Sequence, residues 1–241
     1  MSFIDKPFRP YAPGSQPPND SPEYRSTLLR HPEHKPLKIP QTITELAGPR
    51  FSSAHFPPTE NLAVYHGKEA QGERIIVEGH VRDEDGHAVP NTMVEIWQAN
   101  AAGRYDHERD KHDAPLDANF HGAGRVFTDE HGAYRFITIK PGAYPWGNHY
   151  NAWRPNHIHF SLFGPGYATR LITQMYFPGD PLLDLDPIFL ATPDKAARDR
   201  LIANFDIAIT QPNWALGYRF DITLRGRDAT PMEDTNAHDH H

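Results

Sequence analysis

The sequence predicts an all-β protein: an antiparallel β-sandwich with long functional loops, an extended Pro-rich N-terminal arm and one or two short helices. Three observations carry this expectation. Short segments of period-two hydrophobicity recur between Asp/Gly clusters, and no strand–helix–strand alternation appears. Twelve of the 24 prolines fall within the first 60 residues.

Those prolines define residues 1–70 as an arm, in stretches such as RPYAPGSQPPNDSPEY (9–24) and HPEHKPLKIP (31–40). Proline fixes φ and removes a backbone donor, so the arm is expected to be extended, with a short helical turn at most, and either wraps a partner subunit or is a disordered leader. Residues 71–241 form the sandwich. RIIVEGHVR (74–82) alternates Ile75, Val77, Gly79 and Val81 with polar neighbours, and Asp83 to Gly86 then turns the chain into NTMVEIWQA (91–99). GRVFT (124–128) meets AYRFITI (133–139) across Asp129 to Gly132 in the same way. HIHFSLF (157–163), RLITQMYF (170–177) and GYRFDITL (217–224) supply further strands. PDKAARDRLIANF (193–205) reads as a helix opened by Asp194, with Leu201 and Ile202 facing inward. Residues 100–123 and 140–156 are long connections rich in Tyr and His, and loops of that length are usually functional.

Composition narrows the chemistry. The net charge is −7 and no Lys/Arg block occurs, which speaks against a nucleic-acid binder. With no Cys, disulfides, thiolate zinc sites and Fe–S clusters are excluded. Neither a membrane-length apolar run nor a signal-peptide stretch is present, so a soluble cytoplasmic protein is expected. Sixteen histidines are many for this length. His238, His240 and His241 read as a solvated terminus; the interior ones are informative.

The strongest local signal is RPNHIHF (154–160). Residues two apart in a strand share a face, so His157 and His159 project side by side as a chelating pair, while Ile158 and Phe160 point into the core. Alone, H-x-H is weak, because two hydrogen-bonded histidines without a metal are commoner. Zinc would require a third His or a carboxylate, with His149, His121 and Asp106 as candidates. A non-haem Fe(II) site would require two His and one carboxylate. What accompanies the pair is two tyrosines, Tyr105 in GRYDH (103–107) and Tyr144 in PGAYPW (141–146). A phenol with its reference pKa of about 10 is a poor ligand. A hard trivalent cation deprotonates it, so two phenolates and two imidazoles would suit Fe(III).

These elements resemble the intradiol ring-cleaving dioxygenases: WQANAAGRYD around Tyr105, KPGAYP around Tyr144, then RPNHIH, in the family's order and spacing. The resemblance runs over roughly residues 20–225, from PEYRST near Tyr24 to the late DITL strand. It implies Fe(III) held by Tyr105, Tyr144, His157 and His159, with Tyr144 and His159 axial and a hydroxide completing the sphere. A catechol would bind as a chelated dianion, giving one proton to the hydroxide and the other to Tyr144, which lets go. O₂ would then attack the substrate ring, and the product would be a cis,cis-muconate. Arg154 would favour the ketonised form of the bound ring, with a structural tie to a carboxylate as its competing role. Gln174 would sit beside the iron and the O₂ pocket. Trp146, Trp97 and Ile188 would wall the pocket, and Tyr24 would reach a substrate carboxylate.

Within the family the chain is most similar to the iron-bearing subunit of the two-subunit members, which act on a dihydroxybenzoate in aromatic catabolism by the β-ketoadipate route. The catechol and hydroxyquinol enzymes, the nearest alternative, carry a longer helical N-terminal linker in place of the arm. This similarity implies a related alpha subunit as partner, in αβ units of a larger oligomer, and part of the pocket supplied by that partner. A non-catalytic β-sandwich interaction module, with structural His and Tyr, is the reading from another class.

Overall fold

The computed structural model describes residues 10–32, 34, 52–147, 152–164 and 170–233. His149 and the three C-terminal histidines lie outside the described residues. Among its described residues the arm contains one α-helical turn, α1 (Thr27–Arg30), and β1 (Val64–Tyr65) and β2 (Lys68–Glu69) form a small hairpin. The body follows as β3 (Arg74–Arg82), β4 (Met93–Trp97), β5 (Ala123–Phe127) and β6 (Ala133–Ile139). A hairpin of β7 (Tyr144–Trp146) and β8 (Ala152–Arg154) leads into β9 (His157–Phe163) and β10 (Leu171–Tyr176). Two helical turns, α2 (Pro187–Leu190) and α3 (Lys195–Asp199), precede β11 (Asn204–Phe205), β12 (Leu216–Arg219) and β13 (Ile222–Thr223).

These strands make the expected sandwich. One sheet has the order β10-β9-β4-β5 and is antiparallel throughout. In the other, β3 pairs antiparallel with β6 but parallel with β12 and β13. GYRFDITL is therefore not one strand. The chain breaks at Phe220 and Asp221, where the Asp221 carboxylate accepts the His80 N–H at 2.8 Å in place of a backbone carbonyl. Between the sheets lie Ile75, Val77, Val81 and Phe136 from one and Val94, Ile96, Ile158, Phe160 and Leu162 from the other. Burying each such side chain contributes about 1.5–3 kcal/mol. Leu62 and Ala63 also pack into this core.

Strand periodicity then decides where chemistry can sit. Ile158, Phe160 and Leu162 occupy the core face of β9, so His157, His159 and Ser161 occupy the other face. The register places Trp97 and Gln174 on either side of His159, and Tyr176 beside His157. The outer face of the four-stranded sheet is thus a platform, roofed by the long connections.

One expectation about helices is corrected: the helix read over 193–205 ends at Asp199. Asp194 does cap it, accepting the Ala197 N–H at 2.7 Å. It stops because strand pairing competes for its backbone: Tyr176 N–H donates to Leu201 O at 2.8 Å and Ala203 N–H to Tyr176 O at 2.9 Å. Leu201 is buried as expected, whereas Ile202 is only partly so. Among the described residues no helix is long and apolar enough to cross a membrane.

Candidate metal centre

On the platform the two imidazoles are each oriented by their Nδ1 atoms. His157 Nδ1 lies 2.6 Å from the Pro155 carbonyl, and His159 Nδ1 lies 3.3 Å from a Glu233 carboxylate oxygen. Both partners are acceptors, which assigns the proton to Nδ1 in each ring and leaves the lone pairs on Nε2. Those two Nε2 atoms face one another at 3.2 Å, and the Tyr144 hydroxyl is 3.3 Å from that of His157. Two converging lone pairs repel unless a cation lies between them. This is the ordinary state of metal-binding histidines, whose other nitrogen donates outward.

The tyrosines arrive from the roof. The β7–β8 hairpin sets Tyr144 opposite Arg154, three residues before the histidine pair. Tyr105 is held by its backbone, whose N–H donates to Asp110 at 2.7 Å, in a turn organised by the Asn100 side-chain carbonyl, which accepts from Ala102 and Arg104. The Tyr105 and Tyr144 rings meet edge-on at 5.5 Å. Their approach depends on Gly103, at φ +79°, where a Cβ would stand 2.1 Å from the Ala143 carbonyl oxygen. Gly103→Ala should therefore cost about 1–3 kcal/mol through strain and overpacking. It should also lower the metal content of purified protein, measured by thermal melting and elemental analysis.

Electrostatics limits what these phenols can do alone. Burial, then the neighbouring Tyr144, pushes Tyr105 well above the usual phenol range. Burial pushes Tyr144 up to about 12, against the pull of Arg154. Each gives up its proton at neutral pH only to a strong Lewis acid. Glu233 behaves oppositely: burial works to raise it, but the adjoining His159 ring and its N–H, with Arg154 and Gln174, bring it down to about 2. Two imidazoles and two buried phenols form a donor set that fits a hard trivalent ion.

Arg154 is 1% exposed and does make the carboxylate tie weighed as its competing role. Its Nε and Nη2 both donate to Asp186 at 3.0 Å, and Nη2 also donates to Gln174 Oε1 at 2.6 Å and the Tyr176 hydroxyl at 3.1 Å. The guanidinium also lies 5.6 Å from the Trp146 ring centre. Tyr24, Tyr105, Tyr144 and Trp146 form one buried aromatic cluster, with Trp97 and Ile188 packed against it. Trp97 stacks flat on His159 at 4.7 Å and Tyr24 lies 5.2 Å from Trp146. The residues that the resemblance names therefore lie together in this one place. Asp186 and Glu233 were missed. Asp186 belongs to no motif read from the sequence, and neither does Glu233, which sits in a tail segment.

Of the candidates for a third zinc ligand, His149 lies outside the described residues, while Asp106 and His121 pair with each other at 3.3 Å, each about half exposed. Among the described residues, the three His and carboxylate groups within reach of one ion are Asp83, Asp85 and His87, which include neither His157 nor His159.

A family model described as Dioxygenase matches residues 46–226, and one described as Protocatechuate 3,4-dioxygenase beta subunit N terminal matches residues 9–42. The chain belongs to the intradiol ring-cleaving dioxygenases. Membership of this intradiol family implies a non-haem iron. The chain is 58% identical to a protocatechuate 3,4-dioxygenase beta chain from Burkholderia cepacia over 91% of its own length and 94% of the relative's. It is 30% identical to the alpha chain from the same organism, over 81% and 98%. Among solved structures, the dioxygenase domain of a dioxygenase carbohydrate-binding protein fusion from Streptomyces sp. SirexAA-E superposes with a TM-score of 0.51 at 28% identity, covering 74% of this chain and 94% of that one.

Proposed function

We propose that the chain is the iron-bearing subunit of a cytoplasmic protocatechuate 3,4-dioxygenase. It opens the ring of 3,4-dihydroxybenzoate with O₂ between the hydroxyl-bearing carbons to give 3-carboxy-cis,cis-muconate. The observation that carries this reading is the convergence of two outward-anchored imidazoles and two buried phenols, in a chain so similar to a beta chain. Tyr105, Tyr144, His157 and His159 hold Fe(III). An alpha subunit completes the pocket, with contacts assigned to the arm within residues 1–70.

Bound Fe(III) supplies a Lewis acid that activates the chelated catecholate toward O₂. The chain's own groups do the rest. Tyr144, a strong base in its phenolate form, would take a substrate proton at Oη. Arg154 is a cation fixed in place by Asp186 and favours negative charge on the ring. Gln174 accepts from Arg154 and Tyr176 through Oε1, which locks its amide beside the metal ligands. Trp146 and Ile188 wall the pocket, and the Tyr24 hydroxyl reaches the substrate carboxylate.

Concentrated protein should be wine-red from tyrosinate-to-iron charge transfer, and anaerobic protocatechuate should shift that band. A colourless protein with stoichiometric zinc would overturn the iron assignment. An unshifted band would return the chain to the interaction-module reading. Faster cleavage of catechol or hydroxyquinol than of protocatechuate, with the alpha subunit present, would move the substrate assignment to those enzymes.

A further inference from the structure

We propose that Glu233 is a positioning residue for the metal centre: by accepting the Nδ1–H of His159 it sets that ring's tautomer and strengthens Nε2 as a donor, and the N-terminal arm holds it there through Gln16. This inference rests on the Fe(III) reading above. The two histidines have unlike partners. His157 donates to a neutral carbonyl at 2.6 Å, His159 to a carboxylate at 3.3 Å. A carboxylate draws the imidazole N–H more strongly and raises the electron density at the opposite nitrogen, so the two rings are unequal donors. Both members of the His159–Glu233 pair are buried, at 2% and 7% exposure, so water does not screen the contact.

The segment that delivers Glu233 is tied on three sides. Its own N–H donates to Ile172 O at 2.7 Å, and Thr173 Oγ1 donates to Pro231 O at 2.8 Å, fastening it to β10. Thr230 N–H donates to Thr223 O at 2.9 Å and Thr223 N–H to Thr230 Oγ1 at 3.0 Å, fastening it to β13. From the arm, Gln16 accepts the Met232 N–H at 2.7 Å and donates to Thr230 O at 3.4 Å. One side-chain amide thus completes the backbone pairing of residues 230 and 232, and the carboxylate is aimed by a segment with little freedom.

The test compares parent, E233Q and Q16A, each co-produced with the alpha subunit and loaded with iron. Gln at 233 keeps the size and an acceptor oxygen but loses the charge. A weaker His159 leaves the iron drawing more from its phenolates, so the charge-transfer band of E233Q should move to longer wavelength. Its iron affinity should fall about 10–100-fold. Q16A, whose carboxylate remains, should move the band in the same direction by less. An E233Q band and iron affinity equal to the parent's would overturn the proposal. Should E233Q fail to fold, an unmoved band in Q16A would overturn it instead. A colourless parent sinks the iron reading itself, whereas a coloured parent with an unmoved E233Q band sinks only the role of Glu233.

Discussion

Tyr105→Phe should give a folded protein that holds little iron and has lost its visible band. The Tyr105 ring is 9% exposed and packs edge-on against Tyr144 at 5.5 Å, and Phe preserves that packing while deleting one oxygen. The change therefore isolates coordination from stability. Removing a residue that merely supports a metal ligand costs about 10–100-fold in affinity, so removing a ligand itself should cost more than about 100-fold. Ring cleavage should fall in proportion to the iron lost. His157→Ala should show the same loss with some added destabilisation, since it leaves a void on the platform and an unmet Pro155 carbonyl. Metal analysis and the visible spectrum of the two variants decide the matter; a wine-red Tyr105→Phe protein with full iron would remove Tyr105 from the ligand set.

Asp186→Ala should be the most destabilising single change near the site. It strands Arg154, which is 1% exposed, and it removes the acceptor that both Nε and Nη2 use at 3.0 Å. Burial opposes the guanidinium charge, and Asp186 first among its neighbours restores it. Breaking a buried pair from one side costs about 3–5 kcal/mol. For a chain of this size that corresponds to a fall in Tm of about 6–20 °C. A second cost is local: Asp186 caps α2 by accepting the Ile188 N–H at 3.3 Å, worth about 1 kcal/mol. Replacing both partners with apolar residues, Arg154→Met with Asp186→Leu, should recover most of the first cost and none of the second. A single Asp186→Ala variant melting with the parent would mean that the pair is not buried in solution. The double variant, if stable, also separates the scaffold role of Arg154 from its charge, because its ring cleavage should stay low when its Tm returns.

The legible parts of this molecule are those set by local period and by residue chemistry. The alternation of Ile75, Val77 and Val81 is visible without a structure, and so is the opposite facing of His157 and Ile158. HIHFSLF coincides with β9 residue for residue, because its period-two alternation marks the strand. The aromatic cluster was foreseen through resemblance, since nothing in the spacing of Tyr24, Tyr105 and Trp146 places them together. What escaped was long-range competition for backbone and charge. The helix after Asp194 was cut short by a strand it could not know, and Asp186 and Glu233 found their partners 32 and 74 residues away in sequence. The parallel pairing of β12 with β3 was invisible for the same reason, as both strands carry a pattern that suits either direction.

That parallel pairing bears on how the chain reaches its native state. It joins Ile75 to Leu216, so one side of β3 stays open until nearly the whole domain is available. The sheet that carries the histidines closes within a shorter span, from Met93 to Tyr176. Contacts between residues so distant must meet the entropy of closing a long loop before they return any stability, and topologies of this kind fold on millisecond-to-second timescales. The histidine platform can thus assemble first, while the sheet behind it waits for its final strands and presents an open edge in the interval.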